Sequence, residues 1–133
     1  MQRVVITGAG TINALGTSVA QTLTAFQNGH CGISNLDFRD VDRLSIKIGG
    51  QVHGYDQLEH FNRQQIALYD RFTQFALLAA REAVAQSGLS FSGDFSVQSG
   101  VILGTAAGGM NTWSDNYRDV FEGGKKRVHP SVV

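Results

Sequence analysis

Three glycines open the chain in a place where chemistry is often done: the apolar run Val4-Val-Ile is followed by Gly8, Gly10 and Gly16. Glycines behind a strand let a backbone approach a pyrophosphate at a helix N-terminus. A dinucleotide-binding turn needs them at offsets 0, 2 and 5, and here the third position is Asn13. The short-chain dehydrogenase variant would place glycine at Ile12, and no acidic residue closes a second strand about 20 residues later to hold a ribose. Nicotinamide binding is not expected.

Other reactive groups are sparse. Cys31, the single cysteine, excludes an intrachain disulfide and lies in a Gly-rich turn, where it reads as an incidental loop thiol. Its neighbour His30 is expected to point away from it, and His53, His60 and His129 lack metal-ligand spacing. There is no Ser/His/Asp set and no suggestive pair of carboxylates. Two segments remain. Gly104-Thr-Ala-Ala-Gly-Gly109 is either a tight connection packed against a neighbour or a place where bare backbone meets a ligand. A phosphate loop is disfavoured, because no Gly-Lys-Ser/Thr occurs and no lysine follows until Lys125. Lys125-Lys-Arg127, near His129, is the one dense basic cluster, either a solvated loop or a docking patch.

The elements that must position these groups read as an alternation of strands and helices, hence an α/β protein. Residues 3–7 and 97–103 are apolar without alternation, as in strands buried on both faces of a parallel sheet. Ile46, Ile48 and Val52 suggest a half-exposed strand. Thr17 or Ser18 can cap a helix with Val19, Leu23 and Phe26 on one face, ended by Gly29. A short polar helix is expected over 58–69. Asp70 then caps the strongest helical signal, apolar nearly all round at 75–80 and therefore expected to be central, and stopped by Ser87-Gly88. A last helix is expected from about Asn111 to Phe121.

In bulk, 133 residues make one domain or a piece of one, and 42% hydrophobic with 17% charged content is that of an ordinary globular chain. Eleven basic residues balance eleven acidic ones, so no overall field recruits nucleic acid or an anionic membrane. The longest apolar stretch falls well below the roughly 18 residues of a membrane span, and no signal-peptide core opens the chain. A cytoplasmic protein is expected.

Val4-Val-Ile-Thr-Gly8 with Leu15-Gly16, Gly29-His-Cys-Gly-Ile33, the helix from Asp70 to Ala83, Gly100-Val-Ile-Leu-Gly-Thr-Ala-Ala-Gly-Gly109 and Gly123-Gly-Lys-Lys-Arg-Val-His-Pro130 together resemble the β-ketoacyl-acyl-carrier-protein synthases, over about the first third of such an enzyme. The resemblance implies a thiolase-like fold of two α/β halves in five layers, of which residues 1–133 supply part of the first half. It implies decarboxylative condensation of an acyl thioester with malonyl-acyl carrier protein, in fatty acid or polyketide elongation. No bound cofactor is implied, since substrates ride on the phosphopantetheine arm of the carrier protein. A homodimer is implied for a complete enzyme, with neither nucleic acid nor membrane as partner.

The same resemblance places Ala107, Gly108, Met110 and Val132 at the acyl pocket. Ala107 stands where the family often carries a bulky branched residue, which implies a roomier pocket with Met110 as an adaptable wall. Lys126, Arg127 and Arg63 match carrier-protein docking positions, while Ile66, Ala67 and Leu68 replace other basic residues of that second patch. The thiolate, two histidines and oxyanion hole of the family have no match before Val133. The chain's end, after a proline, is expected to be a truncation, with the separate chain inactive. Two rivals stand beside this reading: a noncatalytic condensing-enzyme homologue acting as a chain-length partner, and a stand-alone α/β binding domain.

Overall fold

A computed structural model describes residues 3–127. Among them are helices α1 (Val19–Gln27), α2 (Arg63–Leu68), α3 (Arg71–Ser87), α4 (Asp94–Val97) and α5 (Met110–Phe121), with strands β1 (Ser34–Asn35) and β2 (Ile48–Gly49). Two short 3-10 turns, Val41–Arg43 and Gln57–Glu59, complete the order. The described residues fall into two compact units: residues up to Asp56 with Leu77–Leu89, and Gln57–Ala76 with the residues from Ser90 on. No helix among them is long and apolar enough to cross a membrane.

Helix boundaries follow the capping chemistry. Ser18 is extended and its hydroxyl accepts the Gln21 N–H at 3.2 Å, opening α1, while Gly29 past its end has φ +66°. Its buried face is not the expected one: Ala25 is buried, whereas Leu23 and Phe26 are exposed. The polar helix expected over 58–69 is divided, because Asn62 and Gln65 form a reciprocal capping box that starts α2 only at Arg63. Helix α3 spans the expected residues and stops before Gly88, at φ +65°. Its apolar middle is half-buried rather than enclosed; only Gln74 along it is buried.

Of the three expected strands, the half-exposed one around Ile46 to Val52 is present as the short β2, while the two doubly buried ones need correction. The one sheet among the described residues is the antiparallel pair β1–β2, with Ser34 opposite Gly49 and Asn35 opposite Ile48. Gln51 prolongs the pairing through its side chain, accepting from the Asp37 N–H at 2.6 Å and donating to its carbonyl at 2.7 Å. Residues 3–7 and 98–103 carry no ladder, and Val97 ends α4 instead. A strand of the doubly buried kind exists only through its neighbours. Val4 and Val101, at 97% and 95% exposure, have no such cover among the described residues.

The first unit is organised on the second half of α3. A Cβ on Gly8 would run into the Ala83 carbonyl oxygen, and one on Gly10 into that of Ala79. Two residues of extended chain advance ~6.6 Å and one turn from Ala79 to Ala83 about 6 Å, so the glycine spacing matches the helix beneath. Side chains of α3 then satisfy the backbone laid across it. Gln86 Oε1 accepts the Ala9 N–H at 2.6 Å, and Glu82 accepts Thr11 N–H at 2.9 Å and Val19 N–H at 2.8 Å. Val19 is the first residue of α1, so Glu82 also caps that helix. Asn13 is equally committed: its amide donates to the Thr11 and Thr22 hydroxyls, both at 3.0 Å, and its Oδ1 accepts the Leu15 N–H at 2.8 Å.

Replacing Glu82 by Leu is expected to lower stability by about 2 kcal/mol or more, since hydrogen bonds to a charged group contribute ~1.5–3 kcal/mol. Glu82→Gln, which keeps an acceptor, should lose less, and Gly10→Ala should cost about 1–3 kcal/mol through overpacking. Urea denaturation midpoints check all three, and an unchanged midpoint for Gly10→Ala would contradict the packing described.

Candidate functional site

The second unit holds a cavity whose walls come from the corner between α2 and α3 and from the segment that opens α5. The corner is set by packing and hydrogen bonding. Phe61, 4% exposed, meets the Tyr69 ring edge-on at 6.0 Å, and Gln74, 3% exposed, donates from Nε2 to the Tyr69 carbonyl at 2.8 Å. Buried polar groups must be paired in this way.

Asp70 joins this corner to α5. Its Oδ1 accepts the Phe72 N–H at 3.3 Å, capping α3 as its sequence position predicts. Its Oδ2 accepts both the backbone N–H and the hydroxyl of Thr112, each at 2.7 Å. Helix α5 starts after Gly109, which has no side chain to cap it. Asp70, 42 residues away in sequence from Thr112, supplies the missing acceptor. A carboxylate at two helix N-termini is favoured by both macrodipoles. Gly109 lies against it, and a Cβ there would sit 3.4 Å from Oδ2.

The turn before α5 is shaped by Gly108, whose φ of +63° is costly for residues with a Cβ. The Gly108 N–H donates to the Thr105 hydroxyl at 3.1 Å. Ala107 is thereby presented toward the α2–α3 corner. The resulting cavity, of about 600 Å³, has apolar walls from Leu68, Phe72, Ala107, Met110 and Trp113. Asp70, Thr73, Gly109 and Thr112 complete its lining. This volume is in the range of small-molecule sites. No cysteine or histidine lines it, and both Asp70 oxygens are engaged in capping, so its lining offers apolar surface rather than a proton-transfer group.

The residues that the resemblance assigns to the acyl pocket lie as follows. Ala107 and Met110 line the cavity, Gly108 sets the turn between them, and Val132 lies outside the described residues. Arg63, at the start of α2, and Lys126 and Arg127, beyond α5, are exposed. Lys125 differs from them: its Nζ bonds Asp119 Oδ2 at 2.7 Å and its N–H the Asp119 carbonyl at 2.9 Å, finishing α5. Leu68, which replaces an expected docking position, is a cavity wall. Cys31 is exposed, its sulfur accepting the Ile33 N–H at 3.4 Å. His30 belongs to the first unit, in a shallow groove with Leu15 and Ala25.

Phe72, Thr73, Thr112 and Trp113 were not anticipated as site residues. For Trp113 a signal existed, because it follows Met110 by three residues and shares its face of the helix. The pairing of Asp70 with Thr112 left none.

The cavity is walled mainly by apolar side chains, and its one carboxylate is engaged in helix capping. Comparison with known proteins gives the family: the model of the beta-ketoacyl synthase N-terminal domain matches residues 1–133, and the chain belongs to this family. Membership implies the thiolase-like fold. Among its relatives, 3-oxoacyl-[acyl-carrier-protein] synthase 2 of Staphylococcus aureus strain N315 is 32% identical over 132 residues, covering 99% of this chain and 32% of that protein. The protein of the same name from Vibrio cholerae serotype O1 is 28% identical over 132 residues, with the same coverage. The chain thus spans about a third of the length of these relatives, 32% in each case.

Asp70→Ala removes acceptors at the starts of two helices, each cap being worth ~1 kcal/mol, and is expected to destabilise by about 2 kcal/mol. Thr112→Val, which keeps the backbone bond, should cost about half as much. Urea unfolding followed by circular dichroism checks this; equal losses for the two would contradict the double cap.

Proposed function

We propose that this chain is the acyl-binding, carrier-docking part of a β-ketoacyl-acyl-carrier-protein synthase. The observation that carries the reading is the apolar cavity around Ala107 and Met110, built on the segment that the resemblance assigns to the acyl pocket, in a chain of this family. Relatives named as 3-oxoacyl-[acyl-carrier-protein] synthases support it.

In the reaction proposed for the whole protein, an acyl group is first held as a thioester on an enzyme thiolate. A malonyl thioester then loses carbon dioxide, breaking its carbon–carboxylate bond, and the enolate so formed attacks the acyl carbonyl carbon. A carbon–carbon bond forms, the acyl carbon–sulfur bond breaks, and the thiolate is released. In this reading the residues of this chain contribute binding: Leu68, Phe72, Ala107 and Met110 exclude water from the acyl chain. Cys31, exposed in a loop, is not the nucleophile. The whole protein is proposed to be a cytoplasmic homodimer with five-layered architecture. It needs no bound cofactor beyond the phosphopantetheine arm that delivers substrate.

Acyl carrier protein is the proposed macromolecular partner. The exposed Lys126 and Arg127, together with Arg63, supply positive charge for an acidic carrier, which acts on encounter more than on holding the complex. With Leu68 turned to the cavity wall, docking is weighted toward the segment after α5.

The reaction is tested by incubating the protein, extended to the length of its relatives, with acyl- and malonyl-acyl carrier protein. One β-ketoacyl product per carbon dioxide is expected. Acyl binding without carbon dioxide release would instead favour a noncatalytic chain-length partner. Reversing the charge at Lys126 and Arg127 together is expected to slow carrier association by roughly tenfold or more at low salt, with the difference shrinking as salt rises. Arg63→Glu should do less; equal association rates for all variants would remove the docking assignment.

A further inference from the structure

Ser34 and His53 form a pair that the condensation proposed above does not use. Ser34 Oγ lies 3.0 Å from His53 Nε2, although the residues are 19 apart in sequence. Both belong to the first unit and both are exposed. The hairpin brings them together: Ser34 opens β1 directly opposite Gly49 of β2, and His53 follows β2, just before the left-handed turn at Gly54, φ +66°. The Leu36 N–H, bonded to the Lys47 carbonyl at 2.9 Å, and the two bonds of Gln51 to the Asp37 backbone hold the arms in register. Residues directly opposite in an antiparallel pair project to the same face, and Gly49 has no side chain to cover the Ser34 hydroxyl. A Cβ at 49 would lie 2.9 Å from Leu36 Cδ2, so packing also disfavours a larger residue there. For the hydroxyl to donate to Nε2, the neutral ring must carry its proton on Nδ1. No described residue engages Nδ1 and forces the other tautomer.

We propose that Ser34 is a site of acylation, with His53 as its general base and small acyl thioesters as the donors. The choice of thioester rests on the function proposed above; the pair itself rests on the hairpin geometry. His53 Nε2 takes the hydroxyl proton as Ser34 Oγ attacks the thioester carbonyl carbon. A carbon–oxygen bond forms, the carbon–sulfur bond breaks, and the leaving sulfur receives the proton from the imidazolium. The products are a Ser34 ester and a free thiol. A serine hydroxyl is a weak nucleophile without such a base, and a positioned base contributes ~10²- to 10⁴-fold. Among the described residues no third group orients His53, which makes the pair a slow, stoichiometric acyl acceptor rather than a turnover site. Cys31, exposed three residues before Ser34, is the competing acceptor.

The test incubates the 133-residue protein with the acetyl thioester of N-acetylcysteamine. Neutral hydroxylamine then clears thioester-linked acetyl from Cys31, and peptide mass spectrometry locates what remains. Expected is a hydroxylamine-resistant acetyl group on Ser34 that accumulates with time, persists in Cys31→Ala and is absent from Ser34→Ala. His53→Gln keeps a hydrogen-bond partner for the hydroxyl but cannot take its proton, and should slow labelling by about 10²-fold or more. Circular dichroism confirms that each variant is folded, as expected for changes at exposed positions. A parental rate in His53→Gln overturns the base assignment and with it the proposal. So does label confined to Cys31 or spread over lysines, and so does label on Ser34 that vanishes in Cys31→Ala, which would make the thiol the acceptor. None of these results bears on acyl binding in the cavity, whose lining residues all belong to the second unit.

Discussion

The site of this chain depends on one carboxylate with two obligations. Asp70 accepts the Phe72 N–H at the start of α3 with one oxygen, and the backbone and hydroxyl of Thr112 at the start of α5 with the other. Helix starts leave N–H groups that require acceptors, and Gly109 provides none for α5. Satisfying both starts with one side chain fixes the turn bearing Ala107 and Gly108 against the corner that bears Leu68 and Phe72. The cavity is the space between those two pieces. Gly109 lies beside Asp70 with room to spare, since a Cβ there would make only ordinary van der Waals contact with the carboxylate.

The first unit uses the same physical logic with different residues. Glu82 and Gln86, one helical turn apart, take three backbone N–H groups from residues 9, 11 and 19. Gly8 and Gly10 permit that approach because a Cβ on either would meet a helix carbonyl. Glycines that imitate half of a nucleotide-binding turn therefore serve chain-to-helix packing. Asn13, which breaks that pattern, holds the turn closed through hydroxyl and backbone bonds. A fingerprint motif and a packing motif differ here by one residue and by what lies under the glycines.

Local signals in the sequence translated well into structure. Ser18, Asp70, Gly29 and Gly88 bound helices as read, because capping is decided within a few residues, while Asn62, inside the helix expected over 58–69, caps α2 instead. Residues 3–7 and 97–103 show the converse. Their apolar, β-branched composition reports a preference for being covered on both faces, and pairing requires neighbours that composition does not supply. Val97 instead ends a short helix led by Asp94. Two of the nine cavity residues, Ala107 and Met110, were legible as pocket candidates through their turn and the family resemblance. Trp113 was obscured because an aromatic stripe on a helix ordinarily signals core, and the Asp70–Thr112 contact has no sequence periodicity to betray it.

The central claim, that an acyl chain occupies the space bounded by the α2–α3 corner and the start of α5, is tested most directly by nuclear magnetic resonance with a fatty acid spin-labelled at its far end. The Ala107 and Met110 methyls and the Trp113 indole N–H are predicted to broaden first and together, while Ala25 in the first unit stays sharp. Broadening confined to the exposed apolar residues Val4, Ile6 and Val101, or to the groove beside His30, would contradict it.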